Sequence, residues 1–553
     1  MKARLFGNKK ILVQRGVSTL EILIAFSIFV LTITSAFMVI FGNQSVAVDT
    51  QTNNEALYKA QAMLEGERAL ARQSFLAVST VAPATEVSGG LTYTKTITVA
   101  DLTQCKKQAT ASIGWSDSGR AQNISFTTFL SDIAGALALG GDCATDPPLG
   151  NWKYPVTLGS ANFNPDQPTG IDAFKKMVYL SSNASPGLRI FNATNGATPV
   201  LISYNNGFDA GSGLNDVDIA SSTGRLYAYV AADNSVSDKS CKKTNKAFNN
   251  QFQVIDVTDP HNPATTNAQM LTLKNVDKCG SFPAGYRVYY FKDRAYITTR
   301  ETAGPEFHII DVSDPTHPSE LGQGYEANRT INDFVVTEQV YKGVKSRIAY
   351  LAADASNGEL TVLNVTDPEN ISEITSASQA LAGTQNGESV YLLGYRLYFG
   401  RQSSAGDDLY VFDTSHIADA TANLPIIGHQ DIGSDVLGVR VAGNFAFLAT
   451  SKTSNEFQVW SLDFSNPSNI AITNLAKFNF PNIIQNGLEA DGAAVYATSQ
   501  GNDSLRVIAP AQCSDGTDND ADGAIDAADP QCHSDGIPAN ALSYQPDHND
   551  ESK

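Results

Sequence analysis

The chain has 553 residues, 42% of them hydrophobic and 17% charged, with a net charge of -19. Such a length exceeds what one ordinary core serves and predicts two to four domains. The low charge content sets the chain apart from disordered sequences, and the acidic balance argues against nucleic acid as a partner.

In chain order, the first landmark is an uncharged apolar run over residues 22–41, preceded by Lys2, Arg4, Lys9, Lys10 and Arg15 and opened by Glu21. Twenty apolar residues are enough to span a bilayer as a helix, and the basic flank keeps the N-terminus cytoplasmic. A signal anchor, or a signal peptide cut after Ser45-Val46-Ala47, would account for the run. Neither accounts for Glu21, because a carboxylate at the edge of the hydrocarbon calls for a partner.

These residues resemble the N-terminus of the type IV pilin and pseudopilin family. The resemblance implies a prepilin leader over 1–16, cut by prepilin peptidase after Gly16, so that Val17 becomes the first residue and Glu21 the fifth. It further implies that Glu21 pairs with the free amine of Val17 on a neighbouring pilin subunit, setting the register of helices in a filament. Before assembly the membrane would hold the helix.

Beyond the apolar run, Leu57, Ala60, Leu64, Ala71 and Phe75 recur at helical spacing among polar residues, which predicts an amphipathic continuation. "LTYTKTITV" (91–99) alternates as a strand, and "ASIGWSDSGRAQNISF" predicts two strands around Asp117-Ser118-Gly119. A long α-helix with a small antiparallel sheet is therefore expected over 17–132, followed by a Gly/Ala/Pro-rich linker over 133–150.

The middle of the chain repeats. A short strand recurs seven times: "LRIFNATNGATP" (188), "FQVIDVTDPHNP" (252), "FHIIDVSDPTHP" (307), "LTVLNVTDPENI" (360), "LYVFDTS" (409), "FQVWSLDFSNPSN" (457) and "LRVIAP" (505). Upstream of each lies a second strand with one fixed aromatic: Tyr179, Tyr229, Tyr296, Tyr350, Tyr398, Phe447 and Tyr496. The Asp-Pro and Asn-Pro pairs suit tight turns, because the side chain accepts from turn amides and Pro fixes φ.

Units of this size predict a mainly β, multidomain protein whose central part is a seven-bladed β-propeller over 151–510. A parallel β-helix is the alternative, with much shorter repeats. The seventh copy stops at "LRVIAP", and "NWKYPVTLGS" (151–160) is expected to supply its outer strand. The pattern resembles the LVIVD-repeat propellers of cell-surface proteins. Polar residues near the starts of the inner strands, Asp172, Asp218, Arg287, Asp333, Glu388, Arg440 and Glu489, are the candidates for a face that meets an unidentified surface ligand.

The acidic tail spans 511–553. From residue 512 on it holds nine aspartates and one glutamate against one lysine. Asp518, Asp520, Asp522, Gly523, Ala524, Asp526 and Asp529 fall at positions 1, 3, 5, 6, 7, 9 and 12 of an EF-hand-type loop, in which alternate carboxylates and the carbonyl of Ala524 wrap one hard cation. The last ligand is Asp, as in dockerin-like loops, and Ca²⁺ is the expected ion. Six cysteines, Cys105, Cys143, Cys241, Cys279, Cys513 and Cys532, predict three disulfides in an exported chain; sequential pairing is expected, one of fifteen arrangements.

Zinc-protease, nucleophile-elbow and phosphate-loop signatures are missing from the sequence. The expectation is a non-enzymatic, pilin-like subunit, minor or at the tip, that displays the propeller outward for adhesion or for protein or glycan binding. A pseudopilin of a secretion system and a tethered propeller enzyme are the alternatives.

Overall fold

The computed structural model describes residues 19–549 apart from 132–149, 206–212, 233–249, 276–283 and shorter breaks of one to four residues; in the first helix, side chains are described at 26–33 and from 51 onward. Gly16, Val17, the side chain of Glu21, and Cys105, Cys143, Cys241 and Cys279 lie outside the described residues, as does nearly all of the 133–150 linker. The chain divides into two compact units, one of Met1–Leu102 with Lys106–Asp132 and one that includes Ile133–Lys553.

The first unit is a 55-residue helix, α1 (Thr19–Gln73), and a four-stranded sheet of β1 (Val81–Ser88), β2 (Leu91–Thr103), β3 (Lys106–Asp117) and β4 (Arg120–Ser131), in chain order. The strand β1 was not foreseen from the sequence; its burial pattern shows an exposed edge without clear alternation. Ala56, Ala60 and Leu64 project from α1 into a core with Tyr93, Ile97, Ala109, Ile113 and Trp115. Small side chains at 56 and 60 let the helix lie close on the sheet. Lys59 adds ion pairs to Glu55 (3.3 Å) and Glu86, and Lys95 reaches Glu86 at 2.7 Å. The hydrogen bonds from these two lysines hold the Glu86 carboxyl down at about 2.

Further toward the N-terminus, Phe26, Ile28, Phe29 and Leu31 are exposed. Among the described residues no helix is long and apolar enough to cross a membrane; of the apolar run 22–41, only the side chains of 26–33 are described.

The second unit is built from seven of the eight four-stranded sheets found among the described residues. Sheet 1 comprises Pro168–Phe174, Met177–Ser182, Leu188–Asn192 and Val200–Asn205. Sheets 2 to 7 begin with Leu214–Ser222, Gly285–Phe291, Ile331–Tyr341, Gly387–Leu393, Val436–Ala442 and Ile483–Asp491. Each of these first strands packs against the first strands of its two neighbours, and that of sheet 7 returns to that of sheet 1. The arrangement is a propeller-like ring with the first strands innermost.

The outermost strand of sheet 7 is β5 (Pro155–Ala161), which pairs antiparallel with Leu505–Pro510. Both ends of the ring thus meet in one sheet, which ties the first and last sheets together. Gly159 sits where a Cβ would strike the backbone carbonyls of Gly196 and Ala197 in sheet 1, so that position takes only glycine.

The repeated sequence strand is the third strand of every sheet. The fixed aromatic lies on the second strand, and all seven are at most 1% exposed. They fill the space between neighbouring sheets: Tyr229 stacks on Tyr290 of the next sheet at 4.8 Å, for example. After the third strand, Asn192, Asp256, Asp311, Asn364, Asp413 and Asp463 each accept from the N–H two residues on. Asn195, Asp259, Asp314, Asp367 and Asn466 repeat that contact one turn later. These side chains shape turns.

A second repeated device was not foreseen. The residue just before the third strand is a buried acid in four sheets, Glu306, Glu359, Asp408 and Glu456. Each accepts from backbone N–H groups of the segment leading to the next sheet, for instance Glu306 from Ala327 (2.8 Å) and Asp408 from Gly433 (2.9 Å). Such bonds satisfy loop amides that would otherwise be buried without partners.

Candidate functional site

The inner strands surround an axial cavity of about 150 Å³ to which all seven contribute. The residue opposite the fixed aromatic, in antiparallel register, is Asp172, Asp218, Tyr289, Val335, Tyr391, Arg440 or Glu489 in sheets 1 to 7. All seven line the cavity. Two residues earlier on their strands, Asp216 and Asp333 line it as well.

Of the seven residues singled out in the sequence, Asp172, Asp218, Asp333, Arg440 and Glu489 line the cavity, whereas Arg287 and Glu388 do not. Asp216, Tyr289 and Tyr391 were missed. Counting back from the aromatic through the hairpin would have found Tyr289 and Tyr391, since they occupy the ring position directly.

These acids also bind the ring together. Asp172 accepts from the N–H of Ile219, Asp218 from Tyr290, and Asp333 from Val390 (2.8 Å), in each case on the inner strand of the following sheet. Arg287 donates to the carbonyl of Asn332 at 2.9 Å and lies 3.9 Å from Asp216. Arg440 donates to Glu489 at 3.0 Å across sheets 6 and 7. Glu388 accepts from Gln485 at 3.0 Å, and Gln485 in turn accepts from the Tyr286 hydroxyl at 3.1 Å, so that chain of contacts joins sheets 3, 7 and 5.

Low solvation dominates the electrostatics. Burial, with Glu489 and Asp218 nearby, holds the Asp172 carboxyl well above the usual range. Burial pushes Asp218 up to about 7 and Asp333 up to about 6, against the pull of the amides they accept from. Asp216 is raised by burial although Arg287 opposes the shift. Glu388 rises to about 7, again through burial. Burial works against the Arg440 charge, yet Glu489 and Asp333 hold its pKa above the ordinary value.

The tail packs on the same unit. Cys513 and Cys532 form a disulfide with a Cα separation of 5.5 Å. Ser514 accepts from the N–H of Asn151 at 2.7 Å, and Ala511 donates to the carbonyl of Tyr154 at 3.0 Å, which ties the tail to the segment entering β5.

Within the loop, Asp518, Asp520 and Asp522 each offer an oxygen, and these lie within 4.8 Å of one another. Gly523 makes the bend at φ +93, a left-handed conformation, and donates to Asp518 at 3.0 Å. Ala524 donates to Asp522 at 2.7 Å. Asp526 and Asp529 are not in the triad. Asp526 accepts from Gly516, and Asp529 accepts from Gln531 at 2.7 Å to cap the short helix Pro530–Cys532. Asp518 Oδ1 and Asp529 Oδ2 are buried acceptors without a hydrogen-bond partner.

Residues 295–324 and 433–474 match the family model of the LVIVD repeat. These two segments carry the LVIVD repeat. The first matched segment holds the second to fourth strands of sheet 3, and the second spans most of sheet 6. No curated protein matches the sequence. Among solved structures, the chain is similar to dihydro-heme d1 dehydrogenase NirN in complex with DHE, with 9% identity and a TM-score of 0.36 over 72% of this chain and 67% of that one. It is also similar to an ancestral GH74 enzyme, with 10% identity and a TM-score of 0.39 over 78% of this chain and 65% of that one.

Proposed function

We propose that the protein is a pilin-like subunit, minor or at the tip, of a type IV pilus or a related filament, and that it displays a seven-bladed propeller for adhesion. One observation carries this reading. The helix α1 buries Ala56, Ala60 and Leu64 on its own sheet while Phe26, Ile28, Phe29 and Leu31 turn outward. An apolar stretch of helix left uncovered at these positions needs lipid or other helices around it. Prepilin peptidase would free Val17, the cytoplasmic membrane would hold the subunit through 22–41, and Glu21 would then meet the Val17 amine of a neighbouring subunit in the filament.

In the tail, Asp518, Asp520 and Asp522 would hold Ca²⁺, with the orphaned Asp518 Oδ1 as an acceptor the ion satisfies. Bound calcium would screen the crowded carboxylates and rigidify the loop. Calorimetry on the intact protein should give one calcium site at about 10⁻⁴ to 10⁻³ M, typical of extracellular modules; loss of that heat in Asp520→Asn supports the assignment, and an unchanged heat contradicts it.

Assembly is tested by immunogold labelling of sheared surface filaments with an antibody to the propeller. Wild-type filaments should label and Glu21→Ala filaments should not, with equal amounts of the two proteins in the membrane. Equal labelling would refute the assembly role.

A further inference from the structure

We propose that the hairpin face of the propeller, over sheets 1 to 4, docks an acidic polysaccharide, one with carboxylate or sulfate groups along its chain. The proposal rests on the adhesive reading and names its ligand class. In sheets 1 to 6 a two-residue turn joins the first and second strands, with Phe174 opposite Met177 and Phe291 opposite Arg294, for example. All six turns leave the same end of inner strands that lie side by side, so they ring one mouth of the propeller. Neighbouring turns also touch: the N–H of Lys176 donates to Asp491, which ends the inner strand of sheet 7, and Lys292 pairs with Glu338 of sheet 4.

The first residue of each turn is left-handed, with φ +52 at Lys175, +53 at Thr223, +61 at Lys292, +50 at Lys342, +61 at Gly394 and +57 at Gly443. Sheets 5 and 6 place glycine there, the residue that takes this conformation without strain. Sheets 1, 3 and 4 place lysine instead, and sheet 1 adds a second left-handed lysine, Lys176 at φ +63. Packing does not ask for lysine, since all four side chains are exposed. Strain accepted for a side chain that faces solvent marks a side chain that is used there.

A second, independent feature is how these charges are held. The ammonium groups of Lys175, Lys292 and Lys342 stand 5.1, 5.2 and 5.0 Å from the ring centres of the preceding Phe174, Phe291 and Tyr341, a contact repeated in three sheets that narrows the freedom each lysine loses on binding. The acids of the arc are already engaged: Glu338 by Lys292 and Lys345, Asp256 by Arg225, and Asp293 by Arg347. Among the described residues, the ammonium groups of Lys175, Lys176 and Lys342 have no carboxylate partner. Salt screens charges beyond about 10 Å, so a ligand on this face meets the basic arc rather than the net charge of the chain.

The spread of the charges selects the ligand. Neighbouring sheets pack about 10 Å apart, so a compact anion reaches one hairpin, whereas a chain with an anion on successive sugars reaches several. A nucleic acid would gain from bases stacking on open rings, but Phe174, Phe291 and Tyr341 are half-buried and each carries an ammonium over its ring.

The test uses intact protein in detergent, without added calcium so that the tail cannot bridge polyanions. Anisotropy of labelled heparin, hyaluronate, neutral dextran and duplex DNA is followed at low and physiological salt. We expect heparin or hyaluronate to bind, more weakly as salt rises, and dextran not to bind; the two acidic chains separate sulfate from carboxylate recognition. The triple variant Lys175→Asn, Lys292→Asn, Lys342→Asn should weaken binding about tenfold, the sum of three exposed ion pairs. Asparagine suits the left-handed turn, so urea unfolding should find that variant at least as stable as wild type. Lys477→Asn, at an exposed lysine on the outer strand of sheet 6, should bind as wild type does. Silence of both acidic polysaccharides, DNA binding as tight as theirs, or a triple variant that binds normally or loses stability together with binding would overturn the assignment. Because binding is read on isolated protein, failure here leaves filament labelling unaffected, and failure of assembly leaves binding unaffected.

Discussion

If the ring closes through the segment entering β5, Trp152 is the side chain whose loss should be felt most. It precedes β5 by three positions and is fully buried among Phe447, Phe457, Phe480 and Ile508, which belong to sheets 6 and 7 and the connection between them. Its ring meets Phe447 edge-on at 4.6 Å. Removing about 200 Å² of aromatic surface from the core costs at most about 5 kcal/mol at ~25 cal/mol per Å². The indole Nε1 is buried without an acceptor, so truncation also relieves an unsatisfied donor worth about 1–3 kcal/mol. The net loss for Trp152→Ala is therefore about 3 kcal/mol, at the lower end for large-to-small changes at buried aromatics. Urea unfolding followed by circular dichroism should show the loss in the propeller transition. Trp115→Ala, in the core of the helix-and-sheet unit, should leave that transition in place. A Trp152→Ala loss below about 1 kcal/mol, the size of an ordinary substitution, would mean that the segment does not close the ring.

Replacing Cys513 and Cys532 by serine opens a loop with a sequence separation of 19, which in the chain-entropy model removes about 3 kcal/mol from the tail. Because Ser514 and Ala511 bond to Asn151 and Tyr154, hydrogen exchange at 150–161 should speed up in that variant; unchanged protection there would contradict the coupling. Acidity gives a further test. Asp218 and Glu388, raised to about 7, and Asp333, raised to about 6, keep protons in the folded state that the unfolded chain releases near pH 4. Stability should therefore fall as pH rises from about 4 to about 7 and level off above, and Asp218→Asn should flatten part of that slope. The lysine-paired Glu86 and Glu338, both held at about 2, act oppositely in a lower window, their contribution being lost as pH falls from about 4.5 toward 2. Melting temperatures across pH 3 to 8 decide between this profile and a flat one.

The third strands and the aromatics of the second strands were legible because each is set by local chemistry: a β-rich pentad ending at an Asp or Asn turn, and a ring that must be buried. The source of the last sheet's outer strand was legible as a remainder, since "LRVIAP" had no successor. The inner strands were less so. In every sheet the pairing of first and second strands shifts register near the start of the inner strand, as between Gly387 and Ser389 or Ile483 and Leu488. A shift of one residue exchanges the faces of a strand. Choosing polar residues by their distance from strand starts therefore mixed Asp172, Asp218, Arg440 and Glu489, opposite the aromatics, with Arg287 and Asp333 two residues earlier, and took in Glu388, whose carboxylate goes to Gln485. The acids before the third strands could have been found, because "PEFHIID", "GELTVLN", "DDLYVFD" and "NEFQVWS" repeat an acid at one place.

In the tail, the spacing of Asp518, Asp520 and Asp522 led directly to their cluster, since alternate residues in a tight loop share a side. Asp526 and Asp529 depart from the spacing because the chain turns into short helical segments, Asp526–Ala528 and Pro530–Cys532, where those carboxylates bond to backbone amides.

The central claim is that the helix α1 begins as the processed end of a filament subunit. Mass spectrometry of the protein recovered from cells tests it most directly. A mature chain starting at Val17 is the predicted result; a chain that retains Gly16 and the residues before it, or one cut after Ala47, would contradict it.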